Sequence, residues 1–137
     1  MLATSTDIVV PFHDLDPVEI VWHGHYVKYL EMARDELMNR LGYSHDAMRA
    51  SGYLWPVVEI KVRYLQAARL RQALRVRAAI SEYESRLKIV YDIHDAASGR
   101  RLTRAHTIQV AVRADSGEML FETPQVLRDK IAAALGR

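Results

Sequence analysis

One stretch of helical period followed by four runs of strand period constrains what this chain can become. Between Gly24 and Leu41 the apolar residues Tyr26, Leu30, Ala33, Leu37 and Leu41 recur at helical spacing and make a single stripe, with Lys28, Glu31 and Asp35 off it. Gly42 follows, where a left-handed cap is expected. After it the period becomes two. Val58, Ile60, Val62 and Tyr64 alternate with polar neighbours, and so do Leu74 to Ile80, Leu87 to Ile93, and Ile108, Val110 and Val112. Four half-buried strands joined by short turns read as an antiparallel meander with one face on a core. Ser98-Gly99 and Ser116-Gly117 supply turn signals. His106 is in phase with the last apolar run and reads as a core histidine.

Shorter elements complete the pattern. Ile8 to Phe12 reads as a strand that Pro11 confines to an edge or an end. Ser44 can cap a helical turn over 45–50, closed by Gly52, and Thr123-Pro124 can open a short helix bearing Val126, Leu127, Ile131 and Leu135. One helix of about 18 residues spans roughly 27 Å, enough to lie along a sheet five or six strands wide. The fold class is α+β, in two layers. The edge strands of such a sheet stay unpaired in a monomer and favour edge-to-edge dimerisation.

The 137 residues fit a single domain over 1–137, half of them hydrophobic and 26% charged. Nineteen basic against 17 acidic residues give a net charge of +2, which offers no electrostatic footprint for nucleic acid. There is no cysteine, so disulfides, thiolate catalysis and cysteine-ligated metals are excluded. No apolar run approaches a membrane span and no basic-then-apolar leader opens the chain, so the expectation is a cytoplasmic protein that contacts no membrane.

Reactive groups concentrate between His13 and Tyr26, where His13, Asp14, Asp16, Glu19, His23 and His25 precede or open the long helix. Asp16 stands before Pro17, which biases it to extended backbone. A carboxylate beside a helix start can act with the helix's free N–H groups: one supplies a base or nucleophile, the other polarises a carbonyl oxygen. His23 and His25 share a face if the segment is extended, but a metal needs a third held ligand and none is fixed, so no metal is expected.

Asp16-Pro17, Ile20-Val21 and the run Trp22-His23-Gly24-His25-Tyr26, leading into a helix with Glu31 and Arg34, resemble the 4-hydroxybenzoyl-CoA thioesterase family. The version with Val21 before that run is also similar to the thioesterases of aryl-polyene pathways. The resemblance implies the hot-dog fold, a long helix wrapped by a curved antiparallel sheet, and hydrolysis of an acyl thioester. It makes Asp16 the catalytic aspartate and puts the backbone N–H of His23 on the thioester carbonyl. It implies a homo-oligomer, dimer or tetramer, with the acyl pocket between the helix and the partner subunit. Trp22, His25, Tyr26 and Trp55 become candidate substrate-binding residues there. Arg86 and Lys88 become candidates for the phosphates of coenzyme A or of a carrier protein's phosphopantetheine. That arm belongs to the substrate, and no separate cofactor is implied.

The chain departs from the family pattern at Glu19, where glycine is usual, at His25, where asparagine or serine is usual, and at Phe12, where some members have tyrosine. Each residue also has a plainer reading. Asp16 suits a turn before proline, Asp14 a turn or a support for the loop, and Glu31 with Arg34 a pair along the helix. Ser44-His45-Asp46 holds triad residue types, but neighbours on a helical turn diverge by about 100°, and His45 reads as solvated. The competing functions are an acyl-thioester-binding module without turnover and a hot-dog dehydratase that would use His23 with a partner's Glu31.

Overall fold

The computed structural model describes residues 2–136. Its elements run β1 (Ala3–Val9), α1 (His25–Arg40), α2 (His45–Ala50), β2 (Tyr53–Leu54), β3 (Val57–Tyr64), β4 (Ala73–Glu82), β5 (Leu87–Asp95), β6 (Arg101–Gln109), β7 (Val112–Arg113) and α3 (Gln125–Ala134). A single 3-10 turn, Phe12–Asp14, lies between β1 and α1. The five long strands form one antiparallel sheet in the order β1-β4-β5-β6-β3, and β2 pairs with β7 as a separate ribbon. None of the helices among the described residues is long and apolar enough to cross a membrane.

α1 forms where the stripe places it and packs on β1 and β4. Tyr26, Tyr29, Leu30, Ala33, Leu37 and Met38 are buried along it, against Leu74, Val76 and Ala78 of β4 and Ile89, Tyr91 and Ile93 of β5. Gly42 has φ +76°, the left-handed conformation that ends the helix without a Cβ penalty. Ser44 caps α2 by accepting the Ala47 N–H at 3.2 Å.

The meander holds only for β4-β5-β6. The 57–64 strand precedes them in sequence yet pairs with β6, on the far edge, so β3 has one strand neighbour and an open edge. The first strand starts earlier than Ile8 and ends at Val9, before Pro11. The last long strand also starts earlier, at Arg101, and ends at Gln109; Val112 belongs to the ribbon with β2. Its faces are reversed from the sequence expectation. Thr103, Ala105, Thr107 and Gln109 share the face of core residues Ile93, Tyr91, Ile89 and Leu87, while His106 lies opposite Val90 on the outer face. There it pairs with Glu59 at 2.7 Å and is not a core histidine. Thr123 is not the cap of α3, since Pro124 holds that position and the Thr123 hydroxyl is buried without a partner. Leu127 and Ile131 anchor α3 in the core.

Because α1 covers the β1–β4 half of the sheet, the β3 edge stays bare. Val57, Val58, Ile60 and Tyr64 are all exposed, as are the flanking Leu54 and Leu65. An exposed apolar edge of this length is a site for pairing.

Candidate active site

The segment from Pro11 to Gly24 turns the chain from β1 into α1 and is held at several points. Leu15 bridges to Val21 and Ile20 to Arg69, while Trp22 donates to the Asp14 carbonyl at 3.0 Å. Asp14 is wholly buried. Its carboxylate accepts from Lys28 Nζ at 2.5 Å and from the Tyr29 hydroxyl at 2.6 Å, both on the first turns of α1. Burial pushes the Asp14 carboxyl up, but the bonds from Lys28 and Tyr29 and the nearby charge outweigh it, so the group sits below the ordinary carboxylate range. Burial, then the Asp14 bond, push the Tyr29 phenol well above its usual range. This buried carboxylate ties the loop to the helix.

Asp16 lies at the tight turn of the same loop. Its Oδ1 accepts the backbone N–H groups of Val18 at 2.9 Å and Ile20 at 3.4 Å, an arrangement that orients the carboxylate. Among the described residues, Oδ2 has no hydrogen-bond partner. The turn closes through Asp16 N–H to Ile20 O and Glu19 N–H to Asp16 O. Glu19 takes φ +65°, the left-handed region, which gives the physical reason for glycine at this place in the family pattern.

The helix start is built around Trp22 and Gly24. A Cβ at Gly24 would come within 2.2 Å of the Trp22 ring, so any other residue here would displace that ring, and the backbone angle of Gly24 is not what favours glycine. Trp22 itself is 46% exposed, not core, and its ring packs at a tilt against His23 and edge-on against His25. The His25 N–H returns to Trp22 O at 2.9 Å, and the Tyr64 hydroxyl donates to His23 O at 2.7 Å. The backbone N–H groups of His23 and Gly24 find no protein acceptor among the described residues. They are two directed donors at the positive end of α1.

Asp16 and His23 come together in one cavity of about 260 Å³, lined also by Ile20, Tyr26, Tyr64 and Gln66. Tyr26 is buried, and its hydroxyl accepts the Ala68 N–H at 3.0 Å, pinning the strand-to-strand loop to the helix. Trp22 and His25 do not line this cavity; His25 Nδ1 lies 3.9 Å from the Asp14 carboxylate instead. Trp55 is at the other end of β3, where its indole donates to the Tyr43 hydroxyl at 3.1 Å and its ring borders a second cavity. Arg86 is paired with Glu82 at 3.1 Å in the β4–β5 turn. Lys88 stands on the outer sheet face among Lys61, Arg63, Arg104 and His106. The β5–β6 register puts both at the Gln109 end, away from the same chain's Asp16. Among the described residues no cluster of three or more His, Asp or Glu side chains is placed to hold a metal.

Tyr64 was not a sequence candidate, because its alternation marks it only as a strand residue 41 positions from His23. It is half-exposed, not core.

Residues 10–135 match the thioesterase-like superfamily. The chain is 30% identical over 94 residues to YneP of Bacillus subtilis, itself provisionally named an acyl-CoA thioesterase, covering 69% of this chain and 67% of that one. The fold superposes on the DHNA-CoA thioesterase of Staphylococcus aureus with a TM-score of 0.86 at 20% identity, over 99% of this chain and 93% of that chain. It also superposes on a 4-hydroxybenzoyl-CoA thioesterase with a TM-score of 0.83 at 18% identity, over 95% and 99%. One long helix against a five-stranded antiparallel sheet is therefore the hot-dog fold here too, and the chain belongs to the thioesterase-like superfamily.

Proposed function

We propose that the protein hydrolyses acyl thioesters carried on coenzyme A or on a carrier protein, in the cytoplasm, with Asp16 as its reactive group. The observation that carries this reading is the shared cavity. It holds a carboxylate whose Oδ1 is engaged, together with the helix start, and among the described residues neither Oδ2 nor the His23 N–H has a partner. With the thioester carbonyl oxygen on that N–H, Oδ2 has two routes. It attacks the carbonyl carbon, the C–S bond breaks to release the thiol, and water then hydrolyses the acyl-aspartyl anhydride. Alternatively it takes a proton from water as that water adds to the carbon, and the thiolate leaves. Both routes put negative charge on the carbonyl oxygen, where one N–H donor contributes about 3 kcal/mol to the transition state.

The working unit in this reading is a homodimer joined through β3. The strand's outer edge is unpaired and its apolar residues are bare, so antiparallel pairing with a second β3 would satisfy the backbone and cover them. β3 runs from Trp55 and the second cavity to Tyr64 and the Asp16 cavity. An antiparallel pair would set one protomer's Asp16 beside its partner's second cavity. Trp55, Arg86 and Lys88 would then serve the partner's Asp16, the two basic residues through the substrate's phosphates.

Thiol release from benzoyl, polyenoyl and short-, medium- and long-chain acyl-CoA, and from the matching carrier-protein thioesters, tests the reading. The expected result is turnover of at least one of them. Saturable binding across the panel without thiol release would instead make the protein a binding module.

A further inference from the structure

The chain enters α1 through a four-residue turn, Trp22 to His25, closed by the His25 N–H on the Trp22 carbonyl at 2.9 Å. The peptide unit at its centre joins His23 to Gly24. It is planar and trans, so the His23 carbonyl and the Gly24 N–H point in opposite directions and turn together.

A turn of this kind has two forms that share the same closing bond and differ by a flip of the central peptide. With Gly24 at φ −73° and ψ −23°, the turn is in the type I form. That form sets the His23 and Gly24 N–H groups side by side at the open end of the helix. The flipped, type II form needs φ near +80° at the third residue, and glycine takes it at no steric cost. Flipping would turn the Gly24 N–H away and bring the His23 carbonyl oxygen round to the donor side.

One side chain opposes the flip. Among the described residues no backbone N–H reaches the His23 carbonyl, and its partner is the Tyr64 hydroxyl at 2.7 Å. That hydroxyl stands on a fixed base. Tyr64 pairs with Thr103 at the end of β3, and the N–H groups of Leu65 and Gln66 both reach the Leu102 carbonyl, at 2.9 and 3.0 Å. Its ring packs edge-on against that of the buried Tyr26. Burial pushes the Tyr64 phenol up, so it keeps its proton through neutral pH and remains a donor. Donation to the carbonyl also polarises the peptide and strengthens its N–H.

We propose that Tyr64 is a positioning residue, which latches the His23–Gly24 peptide so that the Gly24 N–H stands beside the His23 N–H as a second donor to the thioester oxygen. The inference rests on the thioester reading above and adds to it a side chain that acts through the main chain. A hydroxyl that bound substrate would raise KM on removal, and one that braced the fold would lower Tm. A latch on preorganised donors lowers kcat alone.

Tyr64→Phe removes the hydroxyl from a half-exposed residue and keeps the ring against Tyr26. Thiol-release kinetics, thermal unfolding and NMR relaxation of the backbone amides are read on wild type and variant. kcat is expected to fall about tenfold or more, with KM within about twofold and Tm unchanged. The Gly24 amide is expected to gain motion, its order parameter dropping from about 0.85 toward about 0.6 or an exchange contribution appearing. Leu30 and Ala33, buried in the middle of α1, should stay rigid. An unchanged kcat would overturn the proposal, and so would a loss of kcat/KM carried by KM. A Gly24 amide with wild-type shift and rigidity would overturn it too. If wild type hydrolyses no thioester, the thioester reading falls, and the Gly24 amide alone decides whether Tyr64 is the latch.

Discussion

Two side chains in the loop before α1 hold conformations their chemistry opposes. Glu19 occupies the left-handed region at φ +65°, and among the described residues its carboxylate accepts no hydrogen bond. Glu19→Gly should therefore stabilise the fold by about 1 kcal/mol, read as a rise in Tm on thermal unfolding. An unchanged or lower Tm would show that the turn carries no strain. Asp14 is a carboxylate in a dry place, kept ionised by Lys28 and Tyr29. Its pKa is lowered on folding, so its stabilisation is present above the ordinary carboxylate range and is lost as the pH falls through the depressed folded value. Asp14→Asn should cost about 2 kcal/mol in denaturant unfolding and flatten the acid limb of the stability profile. An unchanged acid limb would remove Asp14 from that role. The sequence shows Asp14 and Asp16 as similar loop carboxylates flanking Leu15. What separates them is three-dimensional: Asp14 turns under α1, and Asp16 turns onto its own loop N–H groups at the cavity.

At the scale of elements, α1 was legible because its stripe is unbroken and Gly42 ends it. β6 was misread because its inward residues include Thr103, Thr107 and Gln109, while the outward Ile108 is apolar and buried. Polarity therefore does not report its faces. β3 was legible as a strand, but its alternation carries nothing about which strand it pairs with, and its place beside β6 comes from the chain crossing the whole sheet. Two predictions belong here. Leu37→Ala, under the buried centre of α1, should destabilise by about 3 kcal/mol in denaturant titration. Ile60→Glu, on the bare edge, should leave the protomer folded and convert a dimer to a monomer in sedimentation velocity. A dimer that persists would move the interface elsewhere.

For the whole molecule, the helix packs on the β1 and β4 side of the sheet while the β3 edge stays bare, and the two cavities lie at opposite ends of that strand. The Asp16–His23 cavity was legible in the sequence, since a loop carboxylate and a helix start lie close in the chain. The contribution of Tyr64 was not, because only the folding of β3 brings its hydroxyl to the His23 carbonyl. The central claim is that Asp16 performs the chemistry. The most direct test compares kcat and KM for thiol release by wild type and Asp16→Asn on a thioester that wild type turns over. The account predicts a fall in kcat of at least about a hundredfold, with KM and Tm nearly unchanged because asparagine keeps the Oδ1 contacts to Val18 and Ile20. Equal kcat in the two proteins would contradict it and remove Asp16 from the mechanism.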